Sequence, residues 1–185
     1  MPKQKVLIPL DGSDFSRQIF THVLKFIHPA DSDLTLLRVA PPPSGEVPGP
    51  MRPASTDDLT PMFESDTDAT RAKHPVYASQ ERDSLVAALQ NELQVDMVRL
   101  QDAGYSVSIA IHFGHPAEEI IRFVEQENVA LVAMTTHGRT GLRRLLFGSV
   151  AQEVMQSVKV PVMLLRPTGE AANDPGNLKL SAGVG

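Results

Sequence analysis

The chain has 185 residues, 42% of them apolar, enough for one domain with its own core and some loose sequence besides. It contains no cysteine, which removes disulfides, thiolate nucleophiles and zinc–thiolate sites. A net charge of −5 argues against nucleic-acid binding through a basic surface, and no apolar run approaches the roughly 20 residues that cross a bilayer. Met1 to Lys5 lead straight into an apolar run too short for the core of a signal peptide, so cytoplasmic residence is the expectation.

Strands and helices alternate. Lys5 to Leu10 reads as a first strand, and Asp11-Gly12-Ser13 as the turn that leaves it. Phe15, Ile19, Val23 and Phe26 recur every three or four residues, which places them on one face of a helix. Leu34 to Val39 is a second strand. Pro41 to Pro75 then interrupts the pattern: it holds eight of the 15 prolines and no sustained periodicity, the composition of a functional flap or a disordered insert. Val86, Leu89, Leu93, Met97 and Leu100 mark a long helix ending near Gly104. Ser106 to His112 alternates Val107, Ile109 and Ile111 as a third strand does. Pro116 opens a helix with Ile120 and Val124 on one side, and the apolar run Val129 to Met134 is a buried fourth strand. Next come Thr135-Thr136-His137-Gly138, a nine-residue spacer, Gly148-Ser149 and a helical periodicity in Val150, Val154 and Val158. Val160 to Leu165 is a fifth strand, which bounds a domain over 1–167; Thr168 to Gly185, rich in Gly, Ala and Asn, reads as a flexible tail. Five strands with crossover helices imply an α/β fold, a three-layer open sheet that is mostly parallel.

The stretch from Thr135 to Val150 carries the most chemistry. A strand, a Gly-punctuated loop and a helix opening on Gly-Ser give an anion close backbone approach, free N–H groups and the positive end of a helix dipole. The same residues fit a plain helix cap, because Ser149 and Gln152 have the spacing of a capping box, which needs no ligand. Both readings stand at this level. His22, His28, His74, His112 and His115 show neither metal-ligand spacing nor an adjacent acidic partner, and no Ser-His-Asp arrangement emerges. A binding module without a metal site or catalytic residues is therefore favoured over an enzyme.

Lys5-Val-Leu-Ile-Pro-Leu-Asp-Gly-Ser13, Leu36-Leu-Arg-Val39 and Thr136-His-Gly-Arg-Thr-Gly-Leu…Phe-Gly-Ser-Val150, in that order, resemble the universal stress protein family, ATP-binding type. The resemblance covers about Lys5 to Arg166, apart from the Pro-rich insert. It implies a Rossmann-like sheet of strand order 3-2-1-4-5. In that order the chain reverses direction between strands 1 and 4, and open sheets bind ligands beyond the carboxyl ends of the strands at such a point. Asp11 lies just past strand 1 and Thr135 to Gly138 just past strand 4, so two separate signals converge on one crevice.

ATP-binding members carry Gly, two residues, Gly, nine residues, Gly, then Ser or Thr. Gly138, Gly148 and Ser149 match that pattern, and Thr135 replaces its first glycine. A backbone needing positive φ there would strain a β-branched residue; one that does not leaves Thr135 able to offer its N–H. The ligand implied is ATP, or AMP or ADP, with Mg accompanying a triphosphate. By resemblance, Pro9, Leu10 and Asp11 line the nucleoside end, the Asp11 carboxylate accepting from a ribose hydroxyl or facing a phosphate-bound metal; the alternative for Asp11 is an Asx turn. Val39 would present its backbone to the adenine edge and Met134 would floor the sugar, though both suit a core equally. His137, Gly138, Gly148, Ser149 and Val150 would surround the phosphates through main-chain N–H groups. Arg139, Arg143 and Arg144 either screen a triphosphate or form a solvated basic face. The resemblance further implies a regulatory protein of the stress response, homodimeric through Val160 to Leu165, where the last strand leaves an open sheet edge. A scaffold with a lapsed nucleotide site, and an enzyme of weak ATP hydrolysis or nucleotidyl transfer, are the alternatives.

Overall fold

The computed structural model describes residues 3–43, 75–136 and 148–167, with the backbone alone at 75–79. Most of the Pro-rich insert and the whole of the expected tail lie outside the described residues. The strands are β1 (Gln4–Leu10), β2 (Ser32–Ala40), β3 (Ser106–Phe113), β4 (Leu131–Thr135) and β5 (Val162–Leu165). They form one sheet in the order β3-β2-β1-β4-β5, every pair parallel, as the sequence led us to expect. The helices are α1 (Asp14–Arg17), α2 (Ile19–Phe26), α3 (Pro75–Asp102), α4 (Pro116–Gln126) and α5 (Ser149–Ser157).

Side chains alternate across the strands and so build two cores. Val6, Ile8, Leu34 and Leu36 pack with Ile19, Phe20 and Val23 of α2 and with Leu93 and Leu100 of α3. Leu7, Leu37, Val132 and Met134 pack on the other face with Ile120, Phe123 and Val124 of α4 and with Ala151 and Val154 of α5. This is the doubly covered parallel sheet in which strands read as continuous apolar runs. Right-handed crossovers explain the division of the helices. The chain moves one way along the sheet from β1 to β3, then passes back over β1 to reach β4, which sends α4 and α5 to the opposite face.

The first helical stretch departs from the expected single helix. It divides at Gln18, whose N–H bonds the Phe15 carbonyl at 3.3 Å in a tight three-residue turn. The tighter turn changes the phase of α2. Phe20 and Ile27 join Ile19 and Val23 in the core, and Phe26, expected there, is 64% exposed. The strand limits also shift: Val129 and Val160 are packed against the core but precede β4 and β5.

Helix α3 ends in a Schellman motif, with Gly104 at φ +95°. The Gly104 N–H bonds the Gln101 carbonyl at 2.8 Å, and the Tyr105 N–H bonds that of Leu100 at 3.1 Å. Tyr105 is thereby turned into the core, where its hydroxyl donates to the Ile27 carbonyl at 2.6 Å. Burial pushes the Tyr105 pKa above its ordinary value of 10.0. The folded state thus favours the neutral phenol. Its contribution is complete below the unfolded pKa and is lost as pH rises through the higher folded value. Tyr105→Phe is expected to cost about 1–2 kcal/mol in urea unfolding, since it strands the Ile27 carbonyl. The wild-type protein should also lose stability above about pH 10 more steeply than the variant.

Candidate functional site

A cleft of about 240 Å³ opens at the carboxyl ends of β1, β2 and β4. Its position is set by the ladder. β1 pairs with β2 along all seven residues but with β4 only at Val6 and Leu7. The Lys5 carbonyl accepts from the Ala130 N–H at 2.8 Å, so Lys5 faces β4. By the alternation of a strand, Leu7 and Pro9 face β4 too. Pro9 has no N–H to donate, and pairing stops before it. The cleft begins where the ladder ends, with Pro9 and Leu10 on one side and Met134, Thr135 and Thr136 on the other.

Nine of the eleven residues expected at a ligand site line this cleft: Pro9, Leu10, Asp11, Val39, Met134, Thr135, Gly148, Ser149 and Val150. His137 and Gly138 lie outside the described residues, as do Arg139, Arg143 and Arg144. Leu37, Pro116, Ile120 and Ala151 add apolar wall that sequence reasoning did not pick out. The result is a mostly apolar slot with a few polar groups, the usual make-up of a small-molecule site.

Asp11 satisfies the plainer of its two readings while standing at the cleft. Its Oδ1 accepts from the Ser13 N–H at 2.9 Å and from the Ser13 hydroxyl at 2.6 Å, an Asx turn. Ser13 in turn caps α1, its Oγ accepting from the Ser16 N–H at 3.1 Å. The capping-box alternative at Ser149 is not realised. The N-cap of α5 is Gly148, with φ −69° and ψ 155°, and among the described residues no side chain caps the helix. Ser149 sits one residue too late, already helical, to turn its hydroxyl back over the first turn. The opening N–H groups of α5 are therefore left without a side-chain cap among the described residues, and they stand at the cleft wall. Gly148 holds a backbone conformation open to any residue.

Thr135 is the last residue of β4 and pairs with Leu165. Among the described residues only Asn128 combines a side chain beyond glycine with positive φ, so Thr135 is in unstrained extended backbone. The missing glycine costs the strand nothing.

Two charged groups were not legible in the sequence. His112 Nδ1 lies 3.0 Å from Glu119 Oε2, and Arg122 donates to Glu119 Oε1, which corrects the expectation that no histidine has an acidic neighbour. Gly114, at φ +142°, turns the chain so that residues seven apart meet. Behind the Asp11 turn, Arg17 donates from Nη1 to the Gly12 carbonyl at 2.9 Å and from Nε to Asp96 Oδ2 at 2.8 Å. Arg38, which also lines the cleft, donates from Nη1 to the Leu10 carbonyl at 3.4 Å, and Glu92 Oε1 lies within 4.0 Å of both guanidinium groups. The partners of Asp96 and of the Leu10 carbonyl are 79 and 28 residues away in the chain. No local spacing could announce them.

The model of the universal stress protein family matches residues 3–166. The chain belongs to that family. Among curated relatives it is 27% identical to the universal stress protein MJ0531 of Methanocaldococcus jannaschii, over 88% of this chain and 82% of that one. It is 30% identical to MJ0577 of the same organism over 90 residues, 49% of this chain and 56% of the relative's length. The solved structure of MJ0577 superposes with a TM-score of 0.67 at 22% identity, covering 92% of this chain and all of that one. A universal stress protein in complex with cAMP has a TM-score of 0.54 at 16% identity, covering 91% of this chain and all of that one. An Arabidopsis thaliana family member with AMP bound has a TM-score of 0.53 at 16% identity, covering 92% and 99%. These likenesses establish a common fold.

Removing the Ser13 hydroxyl takes away both the α1 cap and a bond to Asp11. Ser13→Ala is expected to destabilise the protein by about 1 kcal/mol in urea unfolding, with most of that recovered in Ser13→Thr.

Proposed function

We propose that this family member is a nucleotide-binding regulatory protein that takes an adenine nucleotide (ATP, ADP or AMP) in the β1/β4 cleft. The carrying observation is the amino end of α5, which no side chain caps among the described residues, at the wall of that cleft. Its opening N–H groups and the positive end of its dipole suit phosphate. The slot between Leu37, Val39, Ile120 and Met134 suits a flat apolar base, with polar backbone at the strand ends for its edges. Asp11, already oriented by Ser13, faces the ribose. The AMP- and cAMP-bound relatives support adenine as the base. One carboxylate at the cleft suits a magnesium ion carried in by a triphosphate better than one held by protein ligands. The activity proposed is binding, with occupancy biasing partner choice in the cytoplasm.

The same reading includes a homodimer. Val162 to Leu165 of β5 is apolar and only half-buried, and among the described residues no strand covers its outer edge. A second β5, antiparallel across a two-fold axis, would satisfy that edge; Pro161 precedes the paired residues and does not obstruct it. Sedimentation should show a dimer at tens of micromolar. A monomer at that concentration would overturn the interface.

Gly148→Asp separates binding from folding. The backbone at Gly148 accepts any residue, and aspartate would cap α5 and complement its dipole, raising stability by a few tenths of a kcal/mol. The same carboxylate would occupy the N–H groups and repel phosphate. Calorimetry should therefore show ATP binding lost in a variant at least as stable as the wild type. Unchanged ATP affinity would overturn the site.

A further inference from the structure

We infer that Arg17 and Arg38, gripped by Glu92 and Asp96 of α3, are positioning residues that set the nucleotide affinity of the cleft by fixing the Asp11 turn. The inference rests on the reading of the cleft as an adenine-nucleotide site and adds α3 to the site's machinery, although no α3 residue among those described lines the cleft.

Two of the three carbonyls of the Leu10–Gly12 segment, those flanking Asp11, are each taken by a different arginine: Leu10 by Arg38 and Gly12 by Arg17. Neither arginine is a loose surface group. The Arg38 side chain is 12% exposed, and Asp96, which receives Arg17 Nε, is 6% exposed. Glu92 and Asp96 are one helical turn apart on α3 and so present both carboxylates to the same place. Gly12, at φ +84°, is packed so closely that a Cβ there would collide with the Glu92 carboxylate and crowd Arg38. The turn is therefore pressed onto the ion cluster with no intervening side chain. Burial alone would lower the Arg17 pKa; the Asp96 hydrogen bond and the charges of Asp96, Glu92 and Asp14 outweigh it and hold the guanidinium firmly charged.

This arrangement is costly to build for stability alone, because half-buried charges gain little over apolar packing. What it does provide is direction. Arg17 hydrogen-bonds the Gly12 carbonyl on one side and Asp96 on the other, and Arg38 holds the Leu10 carbonyl with the Glu92 carboxylate 4.0 Å from its Nε, which ties the turn to α3. A carboxylate that contacts a ribose needs that precision. A shift of α3 along its axis would pass through the arginines to Asp11, so α3 is the element whose movement would tune occupancy.

Asp96→Asn keeps the shape of the side chain and removes its charge. AMP affinity, measured by calorimetry, should fall about tenfold in this variant. In an Asp11→Ala background the same substitution should change affinity less than about twofold, because the group it positions is gone. An equal loss in both backgrounds, or no loss in Asp96→Asn while the wild type binds, would overturn the inference and leave the nucleotide site standing. A wild type that binds no adenine nucleotide would overturn the functional reading, and the positioning role is then judged without ligand. Asp96→Asn should speed hydrogen exchange at the Ser13 and Ser16 amides about tenfold while β1 and β2 keep their rates. Unaltered exchange at those two amides would overturn it.

Discussion

The structure depends on the two-sided pairing of β1. It is in register with β2 from Gln4 to Leu10, but with β4 only at Val6 and Leu7, beside the bond from the Ala130 N–H to the Lys5 carbonyl. The asymmetry is produced by Pro9, whose missing N–H falls on the β4 side. The helices add to it. Right-handed connections place α1, α2 and α3 on one face and α4 and α5 on the other because the chain reverses direction at β1. A gap in the ladder thus coincides with a gap between helix layers. The cleft is the consequence of both.

Once that gap exists, its chemistry is set by what ends there. Parallel strands expose their last backbone groups at the carboxyl edge, and the helix after each strand brings its first N–H groups to the same level. At α5 no side chain among the described residues consumes these donors, since Gly148 has none and Ser149 is already helical. At α1 the opposite holds: Ser13 caps the helix and holds Asp11. The α5 side of the cleft offers donors suited to an anion, while the β1 side carries a carboxylate whose direction is fixed. This division of charge is what a nucleotide, with phosphates at one end and a ribose between, would match.

The half-buried ion cluster behind Asp11 is the mechanical complement of this arrangement. A turn with a positive-φ glycine is free to move unless something holds its carbonyls. Here the holding groups come from β2 and from the turn of α1, and their counter-charges come from α3. The turn is therefore tied to three elements, two of them distant in sequence.

The sequence by itself determined the element order, the parallel α/β class and most of the cleft wall. Apolar period 2 or 3.6, Gly-Ser after a buried strand and Asp-Gly after the first strand are local signals, and local hydrogen bonding and burial impose them. It did not determine which residue caps α5, because Gly148 and Ser149 both suit an N-cap and the choice is made where the extended chain turns helical. It misplaced Phe26, because one tight turn at Gln18 changes the helix phase and only packing against the sheet reveals the change. Whether Thr135 bears strain was decided by β4 continuing through it, paired with Leu165, in backbone that favours a branched side chain. His112 with Glu119, and Arg17 and Arg38 with Glu92 and Asp96, belong wholly to the tertiary structure. A charge has no period, and its partner is chosen by proximity after the sheet and helices have packed.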